Sequence, residues 1–576
     1  MIVTLLAAAG LLVALPGASL VWICAMAGRR LGDSDRVALA PVVGIVAAAL
    51  LTASALVFPW SFGAQCTAGM VVWVGGAGAL LLDSRRRAAV ARCVTSSWVL
   101  ILPLALAVFA VATFGAVQGD PRDTVAYPGS LVSARVTNLP PDHLFPVAAA
   151  QIFQHRIDPV VNDYYDFWDF ADRTPLAGMA TAGVLSAVGV ELPRTPIWKL
   201  PARELRPRVI DDHGYWLAHL VLVLLNALVI VGIGRLAFSI WGPRAALLAG
   251  LLAAANPFVF THVFFTWPKM LAAGLVLLHY TYVRERRHPV LIGATAALAY
   301  LAHPLAAIFV VPSLVVASVR NPRRAPATVG VIVATVLPWQ VWTTLYAHTS
   351  RMITYPLGYT MRDPNDLGGE LRTAWRQFRN LGIGHALTVR VEDIVDTVWP
   401  FGMSRNFLSL PGRSLTGAEA WFTVHDRTLG GMALFVLLPV VLLGFVRWHR
   451  QARWEWAWMF VAPLVLAVLF WGIDPQGLGA AMLQPTGGLL VVVAAGGLFA
   501  VPRPFAVVAV VLAGVESASV LWWGLFAARQ GASGIAIGAA VAFYALPLLL
   551  ALVVIARRRA EPPDVATAHE TAGTAP

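Results

Sequence analysis

Residues 2–30 read IVTLLAAAGLLVALPGASLVWICAMAGRR, an apolar run of membrane-spanning length closed by Arg29 and Arg30. A cleaved export signal carries its basic residues on the other flank, so this order predicts a first transmembrane helix with its N-terminus outside. The pairing of apolar run and arginine cluster recurs along the chain. Runs follow at about 38–59, 65–83 and 97–117, then at about 214–234, 245–263 and 266–283. The stretch between Arg284-Glu285-Arg286-Arg287 and the cluster from Arg320 to Arg324 is basic on both flanks. It must therefore cross an even number of times, which predicts two short helices meeting at Ala302-His303-Pro304. Runs near 327–346, 430–447, 455–473, 484–501, 504–526 and 533–556 bring the total to about fifteen spans. The loop Asp83-Ser84-Arg85-Arg86-Arg87 and the cluster Arg557-Arg558-Arg559 mark the cytoplasm, placing the N-terminus outside and the C-terminus inside the plasma membrane. Thr174 to Val190 is apolar but only about seventeen residues long, and a crossing there would reverse every later cluster. It reads as an interfacial or re-entrant helix.

Composition agrees with this reading. Of 576 residues, 58% are hydrophobic and 12% charged, against about 25% charged in soluble domains. Mean hydropathy is +0.72. The net charge of +12 does not indicate nucleic acid, because the basic residues sit in short clusters between apolar runs. Cys24, Cys66 and Cys93 show neither metal-ligand spacing nor a disulfide framework, so the sequence assigns them no role. No internal repeat is seen, so the inverted-repeat mark of many secondary transporters is missing. The fold class is all-α: a polytopic transmembrane helical bundle with two large extracytoplasmic loops containing interfacial helices. Residues 1–96 form extra N-terminal transmembrane helices, and residues 97–346 a core carrying the acidic outer loop 118–213. Residues 347–428 form a second outer loop, 429–559 the C-terminal helices, and 560–576 a disordered cytoplasmic tail.

The loop 118–213 holds twelve of the 30 acidic residues, and ionisable groups at a membrane boundary are functional candidates. Asn138-Leu139-Pro140-Pro141-Asp142-His143-Leu144-Phe145-Pro146 precedes an apolar helical run. Asp142 there suits a helix cap or a general base. Downstream, Asn162-Asp163-Tyr164-Tyr165-Asp166-Phe167-Trp168-Asp169-Phe170-Ala171-Asp172-Arg173-Thr174-Pro175-Leu176 interleaves aspartates with aromatics. Rings suit the headgroup region. Acids at such density against anionic lipid call for a metal ion, a basic partner or a phosphate–metal complex.

This arrangement resembles the GT-C superfamily of integral membrane glycosyltransferases, which use lipid-linked sugar donors. Asp172-Arg173-Thr174-Pro175-Leu176 is similar to the Asp-Arg-Pro-Pro-Leu element that opens a membrane-parallel helix in many members, with Thr174 departing from the commoner proline. Thr266-Trp267-Pro268-Lys269-Met270, Leu301-Ala302-His303-Pro304 and Leu337-Pro338-Trp339 resemble segments of actinobacterial-type members. The likeness covers roughly residues 97 to 350 in organisation. It implies transfer of a sugar from a polyprenyl-phosphate donor to a glycan, lipid or protein acceptor outside the cytoplasmic membrane. Membrane lipids are partners and nucleic acid is not. Asp142, Asp172 and Arg173 are then the catalytic candidates, with Lys269, His303, Trp168 and Arg376 binding substrate. Leaving-group stabilisation calls for Arg, Lys or a divalent cation. The sequence names no cofactor; Mg or Mn is the candidate, with Asp142 and Asp172 as its ligands.

Each candidate has a plainer reading. Lys269 at a helix end can snorkel to the interface. His303 is more ordinarily a hydrogen-bonded turn residue. Leu371, Trp375 and Phe378 share one helical face with Arg372, Arg376 and Arg379 on another, which is the pattern of an amphipathic helix lying on a membrane. Two other functions remain open: a transporter or flippase of lipid-linked saccharides, and a surface-polysaccharide polymerase. A flippase calls for charges or broken helices at mid-membrane, and the spans read as nearly free of charge. A non-catalytic scaffold would not need the acidic and aromatic cluster.

Overall fold

The computed structural model describes residues 2–27, 31–58, 60–117, 145–158, 174–194, 213–346, 350–363, 366–398, 409–410, 413–414, 421, 424–425, 427–452, 454–472, 482–521 and 534–557. Apolar runs this long bury their backbone polar groups only by coiling, because each N–H must find its carbonyl within the segment. The described residues are accordingly helical. In chain order they form α1 (Ile2–Met26), α2 (Asp33–Val57), α3 (Phe62–Leu80), α4 (Ser84–Ser96), α5 (Trp98–Val117), α6 (Phe145–His155), α7 (Leu176–Ala187), α8 (His213–Trp241), α9 (Pro243–Ala254) and α10 (Pro257–Phe264). Next come α11 (Lys269–Arg284), α12 (Pro289–Ala302), α13 (Ala307–Arg320), α14 (Ala325–Tyr346) and α15 (Leu367–Val398). The chain ends in α16 (Leu429–Ala433), α17 (Leu438–Gln451), α18 (Ala462–Phe470), α19 (Gln484–Leu498), α20 (Arg503–Leu521) and α21 (Gly534–Ala556). A two-residue hairpin, Ser409–Leu410 against Arg413–Ser414, is the one β element among the described residues.

The protein is a polytopic membrane protein. Among the described residues four helices are long and apolar enough to cross a bilayer, or up to six if each of two bent pairs is one span. Fifteen spans are expected from hydropathy; α1, α5 and α21, at 25, 20 and 23 residues, also have spanning length, while the apolar helices Leu176–Ala187, Pro289–Ala302 and Gln484–Leu498 are shorter. The run at 245–263 is broken, with α9 and α10 meeting at 63°. Asn256 accepts a hydrogen bond from the Val259 N–H and Pro257 follows it, so a cap and a first-turn proline restart the helix there. Arg85 to Arg87 are not loop. Asp83 caps α4, which leaves α3 at 102°.

The segment 174–190, expected as an interfacial or re-entrant helix, packs against other helices of the protein over Thr174 to Ser186. Ten of the twelve residues of α7 are buried. A Cβ on Gly178 or Gly183 would collide with Ala149 or with the Ala48 carbonyl. The Thr52 hydroxyl donates to the Met179 carbonyl at 2.7 Å. Small residues let the backbones of α2, α6 and α7 approach this closely. The same device joins α8 to α11. A Cβ on Gly232 would lie 2.6 Å from the Gly274 carbonyl oxygen, and one on Gly274 would lie 2.8 Å from the Leu228 backbone.

One end of this bundle gathers the arginines. Arg235 on α8 donates to Asp35 on α2 at 2.6 and 3.0 Å and to Glu285 at 2.8 Å. Arg287 bridges the same two acids at 2.8 Å each. Arg284 donates to Glu455 at 2.8 Å and to the Ser239 carbonyl at 2.6 Å. Burial alone would raise the Glu285 carboxyl, and the Arg235 and Arg287 guanidiniums beside it hold it below the ordinary carboxylate range. At the same end Cys24 and Cys93 lie with their sulfurs 3.7 Å apart, both as free thiols, and Arg36 donates to Cys93.

Candidate functional site

α11 runs from the arginine-rich end to the opposite one. Its sixteen residues cover about 24 Å, so Lys269 at its start is a helix length away from Arg284 at its finish. The approach to Lys269 is buried throughout. Phe265 and Thr266 have no exposed surface, and Trp267 and Lys269 are each 5% exposed. Pro268 enters α11 where a missing N–H costs nothing. The Asn226 side chain on α8 accepts the Leu271 N–H at 3.1 Å, satisfying a first-turn donor that the helix itself leaves open.

Thr266 has φ +59°. A β-branched residue in the left-handed region costs on the order of 1–3 kcal/mol, and such strain concentrates at functional sites. Here it turns the chain sharply between α10 and α11 and aims Trp267 back across Lys269. The Lys269 ammonium sits 3.1 Å from the centre of the Trp267 ring, a cation–π contact made away from water. His303 packs against the same tryptophan. Its ring meets Trp267 edge-on, with centroids 6.3 Å apart at 74°. Its Nδ1 accepts the Leu305 N–H at 3.3 Å and so caps the 3-10 turn Pro304–Ala306. An accepting Nδ1 leaves Nε2 to carry the ring proton.

The structure thus brings two sequence candidates, Lys269 and His303, onto one tryptophan. Asp142, Trp168, Asp172 and Arg173 lie outside the described residues. The helices that their segments were expected to open are present as α6 and α7. Thr174, next to Arg173 in sequence, is buried. Arg376 is not part of the cluster. It is exposed on α15 with Arg372 and Arg379 and makes no ion pair among the described residues. That helix is longer than the expected 370–380 and breaks at Gly382, where φ is +78°. Among the described residues no three His, Cys, Asp or Glu side chains gather as a metal site.

A second buried polar cluster was not anticipated. Glu516, in α20, accepts from His425 Nε2 at 2.7 Å and from the Phe435 and Val436 N–H groups at 2.7 and 3.0 Å. His425 Nδ1 contacts the Trp421 carbonyl at 2.8 Å. The carboxylate supplies acceptors for the turn Phe435–Leu437, which Leu434 enters with φ +68°. One signal was available: Glu516 is the single acid in an apolar nineteen-residue helix.

No protein-family model matches the chain, and no curated protein matches it. A solved structure does resemble it. This is the archaeal oligosaccharyltransferase AglB from Archaeoglobus fulgidus, in complex with an inhibitory peptide and a dolichol-phosphate. The similarity has a TM-score of 0.32 at 14% identity and covers 80% of this chain. The chain spans 56% of the length of that protein.

Proposed function

We propose that this protein is a membrane glycosyltransferase that moves a sugar from a polyprenyl-phosphate-linked donor to an acceptor outside the cytoplasm. The observation that carries the reading is Lys269, a cation buried at the end of the bundle opposite the arginine clusters and stacked on Trp267 beside His303. An ammonium held in a water-poor aromatic setting is suited to the charge that develops on a departing phosphate. The positive end of the α11 dipole adds to the same potential. Trp267 holds the ammonium in place, and Trp168, from the acidic loop, is assigned the stacking of a sugar ring. Asp142 takes the proton of the acceptor hydroxyl, while Arg173 and Asp172 act beside the phosphate. The acids of loop 118–213 and the lysine then supply the base and the leaving-group stabilisation that an inverting transfer needs.

The test is transfer from isotopically labelled short-chain polyprenyl-phosphate sugars by the full chain in proteoliposomes, read as labelled product and released polyprenyl phosphate. Asp142→Asn lowers the rate by about 10²–10⁴ while the protein accumulates normally, because a lost cap costs only about 1 kcal/mol. Parental transfer by a well-expressed Asp142→Asn protein removes the base assignment. One observation favours the flippase reading instead: Glu516 and His425 place ionisable groups deep among the helices. Net translocation of an intact lipid-linked saccharide without sugar transfer would select that reading.

A further inference from the structure

At the arginine-rich end, α11, α12, α13 and α14 enclose an open pocket of about 560 Å³. Arg286, Arg287, Arg320 and Arg324 line it together with Asn321 and Thr328, and no acid does. Arg287 is engaged by Asp35 and Glu285. The side chains of Arg286, Arg320 and Arg324 make no hydrogen bond or ion pair among the described residues, and all three are exposed. Two helices start at the pocket and two end there, so their dipoles oppose one another and the guanidiniums set the field. Arg286 has φ +52° and closes α11 with its N–H on the Val283 carbonyl, at a position where glycine is the ordinary occupant. A side chain kept there despite the strain points to a use.

We propose that this pocket binds the phosphate of an anionic phospholipid. Planar guanidiniums match phosphate oxygens two at a time, and basic pockets between membrane helices take such headgroups. The surroundings favour a lipid over a free anion. Val329 and Val333 on α14 are about half exposed, at 52 and 49%. α14 qualifies as a span with only 11% of its apolar window buried. Val329 and Val333 lie about one and two turns beyond Ala325 of the pocket lining, where acyl chains attached to a bound headgroup would lie. A soluble phosphate has no use for them.

The experiment is native mass spectrometry of the purified full chain with phosphatidylglycerol, phosphatidylcholine or inorganic phosphate. The protein retains phosphatidylglycerol in preference to phosphatidylcholine. Arg320→Gln with Arg324→Gln lowers that retention on the order of thirtyfold, at roughly fivefold per arginine. Arg85→Gln with Arg92→Gln, on the exposed face of α4, changes it less than about threefold if the pocket rather than the general field is responsible. Arg286→Gly relieves the left-handed backbone, so the protein stays folded while phosphatidylglycerol retention falls about fivefold. Equal retention of the two lipids, equal losses in both double variants, or displacement of phosphatidylglycerol by millimolar inorganic phosphate would each overturn the proposal.

Discussion

The two ends of the bundle handle charge in opposite ways. At the arginine-rich end Arg235, Asp35, Glu285 and Arg287 neutralise one another within 2.6–3.0 Å. At the other end Lys269 lies over an aromatic ring, approached through a strained Thr266. Charges that satisfy each other hold helices together. The cation at the other end is held over an aromatic ring beside a histidine, in surroundings that fix its position. On the proposed function the contrast separates a fastening from a working site, and one helix, α11, carries both ends.

The comparison breaks most visibly at Arg235. Arg235→Met leaves Asp35 buried with part of its compensation gone, which costs about 3–5 kcal/mol. Thermal or denaturant unfolding should show that loss while transfer per folded molecule stays near parental. A stable Arg235→Met protein with impaired transfer would place chemistry at the wrong end. Lys269→Met gives the mirror image. Methionine keeps an unbranched chain one atom shorter and without the charge, so unfolding changes little and the transfer rate falls about 10²–10³-fold, the usual effect of losing one group that stabilises developing charge. Should Lys269→Met unfold instead, the lysine is a structural strut.

Smaller effects sharpen the same distinction. Thr266→Gly removes left-handed strain of about 1–3 kcal/mol and adds unfolded-chain entropy of about 0.5–1 kcal/mol. The net is a protein about 1 kcal/mol more stable, with slower transfer because Trp267 loses its fixed approach to Lys269. A stabilised variant with unchanged rate would show that the strain serves the turn alone. Acid gives the mildest test. The Glu285 carboxyl is held below its ordinary value in the folded protein. Its contribution is therefore full above the unfolded value of about 4.3 and disappears as pH falls through the lower folded value. Unfolding measured on both sides of that window should weaken toward acid, and Glu285→Gln should flatten the dependence.

What the residues revealed in advance was whatever hydropathy and arginine placement can encode. The helices from α11 to α14 fall where the clusters at 284–287 and 320–324 put them, and His303 caps the turn between two of them. Burial was harder to read. The composition of α7 suits a lipid boundary and a protein interior equally, and its glycines become informative only when Ala48 and Ala149 are seen against them. Asn256-Pro257 was a helix-restart signal that an averaged apolar window conceals. The meeting of Trp267 with His303 and of His425 with Glu516 joins residues far apart in sequence. Neither hydrophobic period nor charge pattern specifies such partners.

The backbone contact between Gly232 and Gly274 has a mechanical consequence. Two helices seated on each other without intervening side chains cannot roll or slide without prising main chain from main chain, so α8 and α11 behave as one beam. The distance between the ionic fastening and Lys269 is thereby fixed. Among the described residues, the joints at which helices change direction are the bend at Asn256, the turn at Leu434 and the break at Gly382. Freedom of movement in this protein belongs to its punctuation, and its spine stays still.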